Sequence, residues 1–97
     1  MPTYVTLMHF TQKGIENVKE GPSRVEAARK MFEAAGGKLT AYYLTMGHYD
    51  AVAIIEVPDE QTVVRQQLSV GMQGNVRTET LRAFTEEEYK KIAGSLR

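Results

Sequence analysis

The side chains able to move a proton or hold a ligand gather around one turn and the strands that flank it. Asp50 closes the stretch Met46-Gly47-His48-Tyr49-Asp50 and leads straight into the apolar run Ala51-Val52-Ala53-Ile54-Ile55. A carboxylate at such a point either bonds turn amides, as in an Asx turn, or faces a cleft with a perturbed pKa that suits proton handling or ligand anchoring. Capping the turn is the simpler role. His9 and His48 are the only two imidazoles in the chain. His9 shares strand parity with Val5 and Leu7, the setting of a hydrogen-bonded core or interface histidine more often than of a ligand, and His48 sits in the turn, where water reaches it. Either ring, with Asp50 and a tyrosine, would make an acid and a base for a small substrate.

Tyr49 pairs a flat apolar body with a hydroxyl that seeks a partner, which fits a subunit interface or the lip of a pocket. Tyr42 and Tyr43 are neighbours on a strand and so point to opposite faces. One of them, with Met8 and either Tyr4 or His9 from the next strand, would wall a small aromatic pocket, although a filled core is the plainer outcome. Asn75, Arg77 and Glu79 share a face of a later strand, where ion pairing is their first role and holding a carboxylate ligand through Arg77 or Arg82 the second. The candidate ligand-binding set is therefore His9, Tyr43, Tyr49, Asp50 and Arg77, with Asp50, His9 and His48 as the catalytic candidates. No H-x-H or H-E-x-x-H spacing occurs, so no metal site is expected. There is also no GxSxG elbow, phosphate loop or dinucleotide glycine fingerprint, and no cofactor is expected. Gly71 and Gly74 follow a helix, whereas a phosphate cradle precedes one.

The elements that must position these groups are readable from periodicity. Thr3 to Phe10 is dense in β-branched and aromatic residues, with Val5, Leu7 and His9 on one face and Tyr4, Thr6, Met8 and Phe10 on the other. Thr11 caps a short turn, and Gly21-Pro22 breaks the chain before Ser23-Arg24-Val25-Glu26, which has the form of a capping box. Val25, Ala28, Met31, Phe32 and Ala35 then recur at helical spacing up to Gly36-Gly37. Leu39 to Met46 and residues 51–57 form an antiparallel hairpin, the second strand reading as buried on both faces and ending at Pro58. Asp59 caps a helix carrying Val63, Val64, Gln67, Leu68 and Met72. Asn75 to Phe84 is a fourth strand, and Thr85-Glu86-Glu87-Glu88 opens a terminal helix with an apolar stripe of Tyr89, Ile92, Ala93 and Leu96.

Strand, helix, strand, strand, helix, strand is the order of an α+β, ferredoxin-like βαββαβ sandwich, here with an appended C-terminal helix. Two helices cover one face of a four-stranded sheet and leave the other bare. Strands 1 and 3 are apolar at both parities, so the bare face would expose several hundred Å², and pairing two such faces gains about 10 kcal/mol before association costs. A sheet-to-sheet homodimer is expected, with the terminal helix free to extend the assembly.

The G-x-Y-D turn at Gly47, Tyr49 and Asp50, the strand exit Glu56-Val57-Pro58-Asp59, and the segment from Gly74 to Thr85 resemble the GYD domain family, which takes its name from that turn. The resemblance spans nearly the whole chain. It implies a ferredoxin-like fold assembled as a dimeric α+β barrel in small bacterial or archaeal proteins, and little about activity. His48, between the glycine and the tyrosine, lies outside what the family name covers.

Ninety-seven residues fit one domain, 1–97, and 12 Lys plus Arg balance 12 Asp plus Glu without any basic stripe, so neither nucleic acid nor a charged membrane surface is an expected partner. No stretch approaches the roughly 18 apolar residues of a membrane span, no secretory leader is evident and no cysteine is present, so a cytoplasmic protein is expected. The functional expectation is a homo-oligomeric ligand-binding or assembly module. The alternative is a cofactor-independent small-molecule enzyme of oxygenase or isomerase type using Asp50 and a histidine.

Overall fold

Alternation along two central strands sets the layers. The computed structural model describes residues 1–97, in the order β1 (Thr3–Phe10), α1 (Gln12–Glu16), a 3-10 turn (Val18–Glu20), α2 (Gly21–Ala34), β2 (Lys38–Leu44), β3 (Ala51–Glu56), α3 (Glu60–Gln73), β4 (Val76–Ala83) and α4 (Glu86–Gly94). The strands form one antiparallel sheet in the order β2-β3-β1-β4, which is the ferredoxin-like arrangement. Tyr4 and Met8 of β1 and Ala51, Ala53 and Ile55 of β3 share one face and are buried with Phe32 of α2 and Val63 of α3. Val5, Leu7 and His9 share the other face with Val52 and Ile54, and none of these five is fully buried. The third strand, expected to be covered on both sides, is covered on one within a single chain, because all the core-forming helix residues lie on the same side.

A bulge settles the tyrosine pair. Leu39 pairs with Ile55 in the core row, but the register shifts between Leu39 and Ala41, so that Tyr42 pairs with Ala53 and Tyr43 with Val52. The extra residue reverses parity, turning Tyr42 under the helices and Tyr43 onto the bare face. β2 stops at Leu44, short of the expected Met46, whose side chain is wholly exposed.

The caps on α1, α3 and α4 form as the sequence anticipates. Thr11 and Asp59 accept from the amides of Gly14 and Thr62, and Thr85 with Glu88 completes a reciprocal box. The box expected at Ser23 does not form. The 3-10 turn runs directly into α2, which therefore starts at Gly21 with Pro22 in its first turn, and the Ser23 hydroxyl donates back to the Glu20 carbonyl at 2.8 Å. The stripe of α3 is also rotated from expectation. Thr62, Val63 and Gln66 are buried while Val64 and Leu68 are exposed, since Asp59 as N-cap fixes where the first turn meets the sheet. No helix is long and apolar enough to cross a membrane. α4 has no substantial packing on its own chain and leaves Tyr89 and Ile92 exposed, and Leu96, expected on its apolar stripe, lies beyond its end and is exposed as well.

α1 ties the end of β1 to the start of β4. The Thr11 amide donates to the Asn75 carbonyl at 3.0 Å, its hydroxyl donates to the Gly74 carbonyl at 2.6 Å, and the Lys13 ammonium reaches the Gln73 carbonyl at 2.9 Å. A methyl group on Gly14 would run into the Asn75 carbonyl, so the tie requires glycine. Gly14→Ala is expected to cost about 1–3 kcal/mol in chemical denaturation, whereas Gly21→Ala, with open space around it, is expected to cost nothing. Asp59 is held below the ordinary aspartate range by the Thr62 amide and then by the Thr62 hydroxyl. Its cap therefore stabilises fully above that ordinary range and is lost as pH falls through the lowered folded value. Amide exchange in the first turn of α3 should quicken across that acidic window relative to the second turn, and Asp59→Asn should remove the pH dependence.

Candidate functional site

The bare face of the sheet carries rows of side chains set by the register. Ala41, Ile54, Val5 and Leu81 make one row across the four strands, and Tyr43, Val52, Leu7 and Glu79 the next. His9 stands one step further along β1 opposite Arg77. The turn after β2 folds over this end. His48 lies edge-on to His9 with centroids 5.4 Å apart, and Tyr49 lies 4.8 Å from His9 and 4.9 Å from His48. The Tyr49 hydroxyl donates to Glu79 Oε1 at a long 3.4 Å. Three of the expected site residues, His9, His48 and Tyr49, are thus one ring cluster, with Arg77 beside it.

Tyr43 shares this face but makes no ring contact with the cluster. The pocket expected from one of Tyr42 and Tyr43 with Met8 and either Tyr4 or His9 does not assemble on the bare face, because strand alternation sends Tyr4 and Met8 to the helix side and leaves Tyr43 and His9 on the other. Asp50 plays a backbone role. Its carboxylate accepts the Phe10 amide at 2.8 Å, its own amide donates to the Met8 carbonyl at 2.8 Å, and its carbonyl accepts the Thr45 amide at 2.9 Å. The Thr45 hydroxyl donates to the Tyr49 carbonyl at 2.6 Å, which closes the turn. None of the Asp50 hydrogen bonds goes to a histidine, and no group of three or more His, Asp or Glu side chains comes together to hold a metal ion.

A second concave region, a partly open groove of about 160 Å³, lies on the opposite face between α2, α3 and the sheet. Tyr42 and Met8, both weighed above for an aromatic pocket, line it, whereas Gln66 is not among the residues singled out from the sequence. Its polar lining includes Tyr42, whose phenol is pushed up by burial and pulled partly back by Arg24, and Gln66, whose side-chain carbonyl is buried without a hydrogen-bond partner. The available signal was a glutamine at Gln66, three residues after the core residue Val63 on the same side of α3.

The pattern of the GYD domain matches residues 4–93. The chain belongs to the GYD domain family. It is also 34% identical over 85 residues to the "Glutamine synthetase and cystathionine beta-lyase binding protein" of Thermus thermophilus, covering 87% of this chain and 90% of that one. The crystal structure of TTHA0845 from the same organism aligns with a TM-score of 0.51 at 25% identity, over 88% of this chain and 95% of that chain.

In this GYD domain the turn works as a brace between the β2–β3 hairpin and the outgoing end of β1. Gly47 takes a φ of 105°, which a side chain would resist, so that Tyr49 can lie over His9 and Asp50 can reach Phe10. Asp50→Ala leaves the Phe10 amide without its acceptor and should cost about 1–3 kcal/mol by thermal or urea denaturation. Asp50→Asn keeps an acceptor oxygen and should retain most of that stability. Equal losses in the two variants would assign the carboxylate a role in its charge instead.

Proposed function

We propose that this GYD domain protein is a non-catalytic binding module that works as a homodimer, bare sheet face against bare sheet face, and that the dimer engages a partner enzyme. One observation carries the reading. Val5, Leu7, Ile54 and Val52 form an apolar centre on a sheet that the helices cover only on the other side, with Tyr43 and Leu81 exposed at its edges. The rim of that centre holds both charges, Lys38 bonded to Glu56 at 3.2 Å on one end and Arg77 with Glu79 on the other. An apolar middle with mixed charges at its ends is self-complementary under a two-fold axis. The relative that binds glutamine synthetase and cystathionine beta-lyase supports the partner-enzyme part. The contacts of Asp50, which go to backbone, lend no support to acid–base chemistry with a histidine.

Light scattering of the full chain is expected to return twice the 10.9 kDa of one copy. Leu7→Arg, which sets a charge at the middle of the face, should raise the dissociation constant about a hundredfold or more. The same variant should leave the helix-side core and the circular dichroism spectrum unchanged. A monomeric mass for the unsubstituted chain would refute the dimer. Co-elution with purified glutamine synthetase or cystathionine beta-lyase tests the partner, and independent elution from both enzymes would leave self-association alone.

A further inference from the structure

α2 packs mainly on β2 and α3 on β4, so a groove runs between the two helices over the middle of the sheet. The groove is floored by Met8, Ala53 and Ile55 and walled by Val25 and Phe32 from α2 and Val63 from α3. Its polar edge holds the hydroxyls of Thr6 and Thr80, 3.3 Å apart. Gln66 also lines it, with only 8% of the residue exposed and Oε1 unpartnered.

We propose that this groove is a binding site for a small neutral molecule with a ring-sized apolar body and one hydroxyl, of which a phenol is the simplest form. Size comes first. A cavity of about 150 Å³ lined by apolar side chains accommodates benzene, and the groove offers about 160 Å³. The hydroxyl follows from Gln66. A buried carbonyl without a donor is destabilising, and a ligand O–H removes that cost. A hydroxyl both donates and accepts, so it serves the glutamine amide in either orientation and can join the Thr6–Thr80 pair. Neutrality follows from the lining, whose single charged residue is Arg24. That guanidinium already meets the Glu20 carboxylate at 3.5 Å and donates to the Asn17 carbonyl at 3.1 Å, which offsets part of its pull on an acid, and the lining holds no carboxylate for an amine.

The groove is on the helix side of the sheet, away from the face assigned to dimerisation, so its occupancy is read independently of oligomeric state. The test is an amide-resonance titration of the full chain with phenol, toluene and benzoate in parallel. Phenol is expected to give saturable shifts confined to α2, α3 and the helix-facing residues of the sheet, Thr80 of β4 included, at an affinity about tenfold or more above that of toluene. Benzoate is expected to give none. Gln66→Leu should abolish the preference for phenol over toluene while raising the melting temperature of the unliganded protein, because the orphaned carbonyl is gone. Gln66→Met, which keeps an unbranched side chain of similar length, carries the same expectation. The proposal is overturned if phenol gives no saturable shifts, if phenol and toluene bind equally to the unsubstituted chain, or if the preference survives both substitutions.

Discussion

Two strands that are apolar on both sides, set in the middle of a sheet with helices on one side only, are the constraint from which the rest of this molecule follows. β1 pairs with both β3 and β4, and β3 with both β1 and β2, so neither can be moved to an edge without breaking the antiparallel ladder. Tyr4, Met8, Ala53 and Ile55 are buried by α2 and α3. That burial commits Val5, Leu7, Val52 and Ile54 to the opposite face, since a one-residue slip of either strand would exchange the two sets. The core of one chain and the bareness of its other face are thus the same fact seen from two sides.

The GYD turn protects this register. A hairpin between β2 and β3 says nothing about where β1 sits, yet Asp50 reaches across to the Phe10 amide and its own amide holds the Met8 carbonyl. Two hydrogen bonds to adjacent parts of β1 fix its position along β3 as well as its distance from it. The rings of His48 and Tyr49 then lie over His9 because the backbone beneath them is already placed. Immediately after β1, α1 makes a second tie, to the α3–β4 junction, through Thr11 and Lys13. The outgoing end of the central strand is therefore held toward β3 and toward β4 at once, by groups outside the ladder.

Much of this was legible in the sequence, and the limits have physical causes. Element order, the hairpin, three of the caps and the parity of β1 follow from local chemistry, because a cap or an alternating strand is decided by residues within a few positions. Ser23 misled because a capping box is a pattern of residue types, whereas the start of α2 was decided by the 3-10 turn ahead of it. Tyr42 and Tyr43 could not be told apart because the bulge at Leu39/Ala41 depends on how β2 is paired, and a single extra residue inverts every side chain after it. The ring cluster was legible as three candidate residues but not as contacts. Gln66 was hidden for a related reason, since the stripe of α3 was phased on Val64 and Leu68, and a shift of about one residue turns a helix by about 100°.

The sheet also separates two kinds of unfinished surface. On the bare face the deficit is apolar and broad, and only another extended apolar surface removes it, because scattered waters cannot stabilise hydrocarbon. At the groove beneath the helices the deficit is the buried oxygen of Gln66 beside a small apolar space, which a flat protein surface cannot reach and a compact molecule can. Had α2 and α3 packed directly on each other, that space would close and Gln66 would be driven to solvent. Their separation over β2 and β4 keeps it inside. The strand order that leaves one face without helices also spaces the two helices across the other, so the broad apolar surface and the small polar-edged groove arise from one arrangement of four strands.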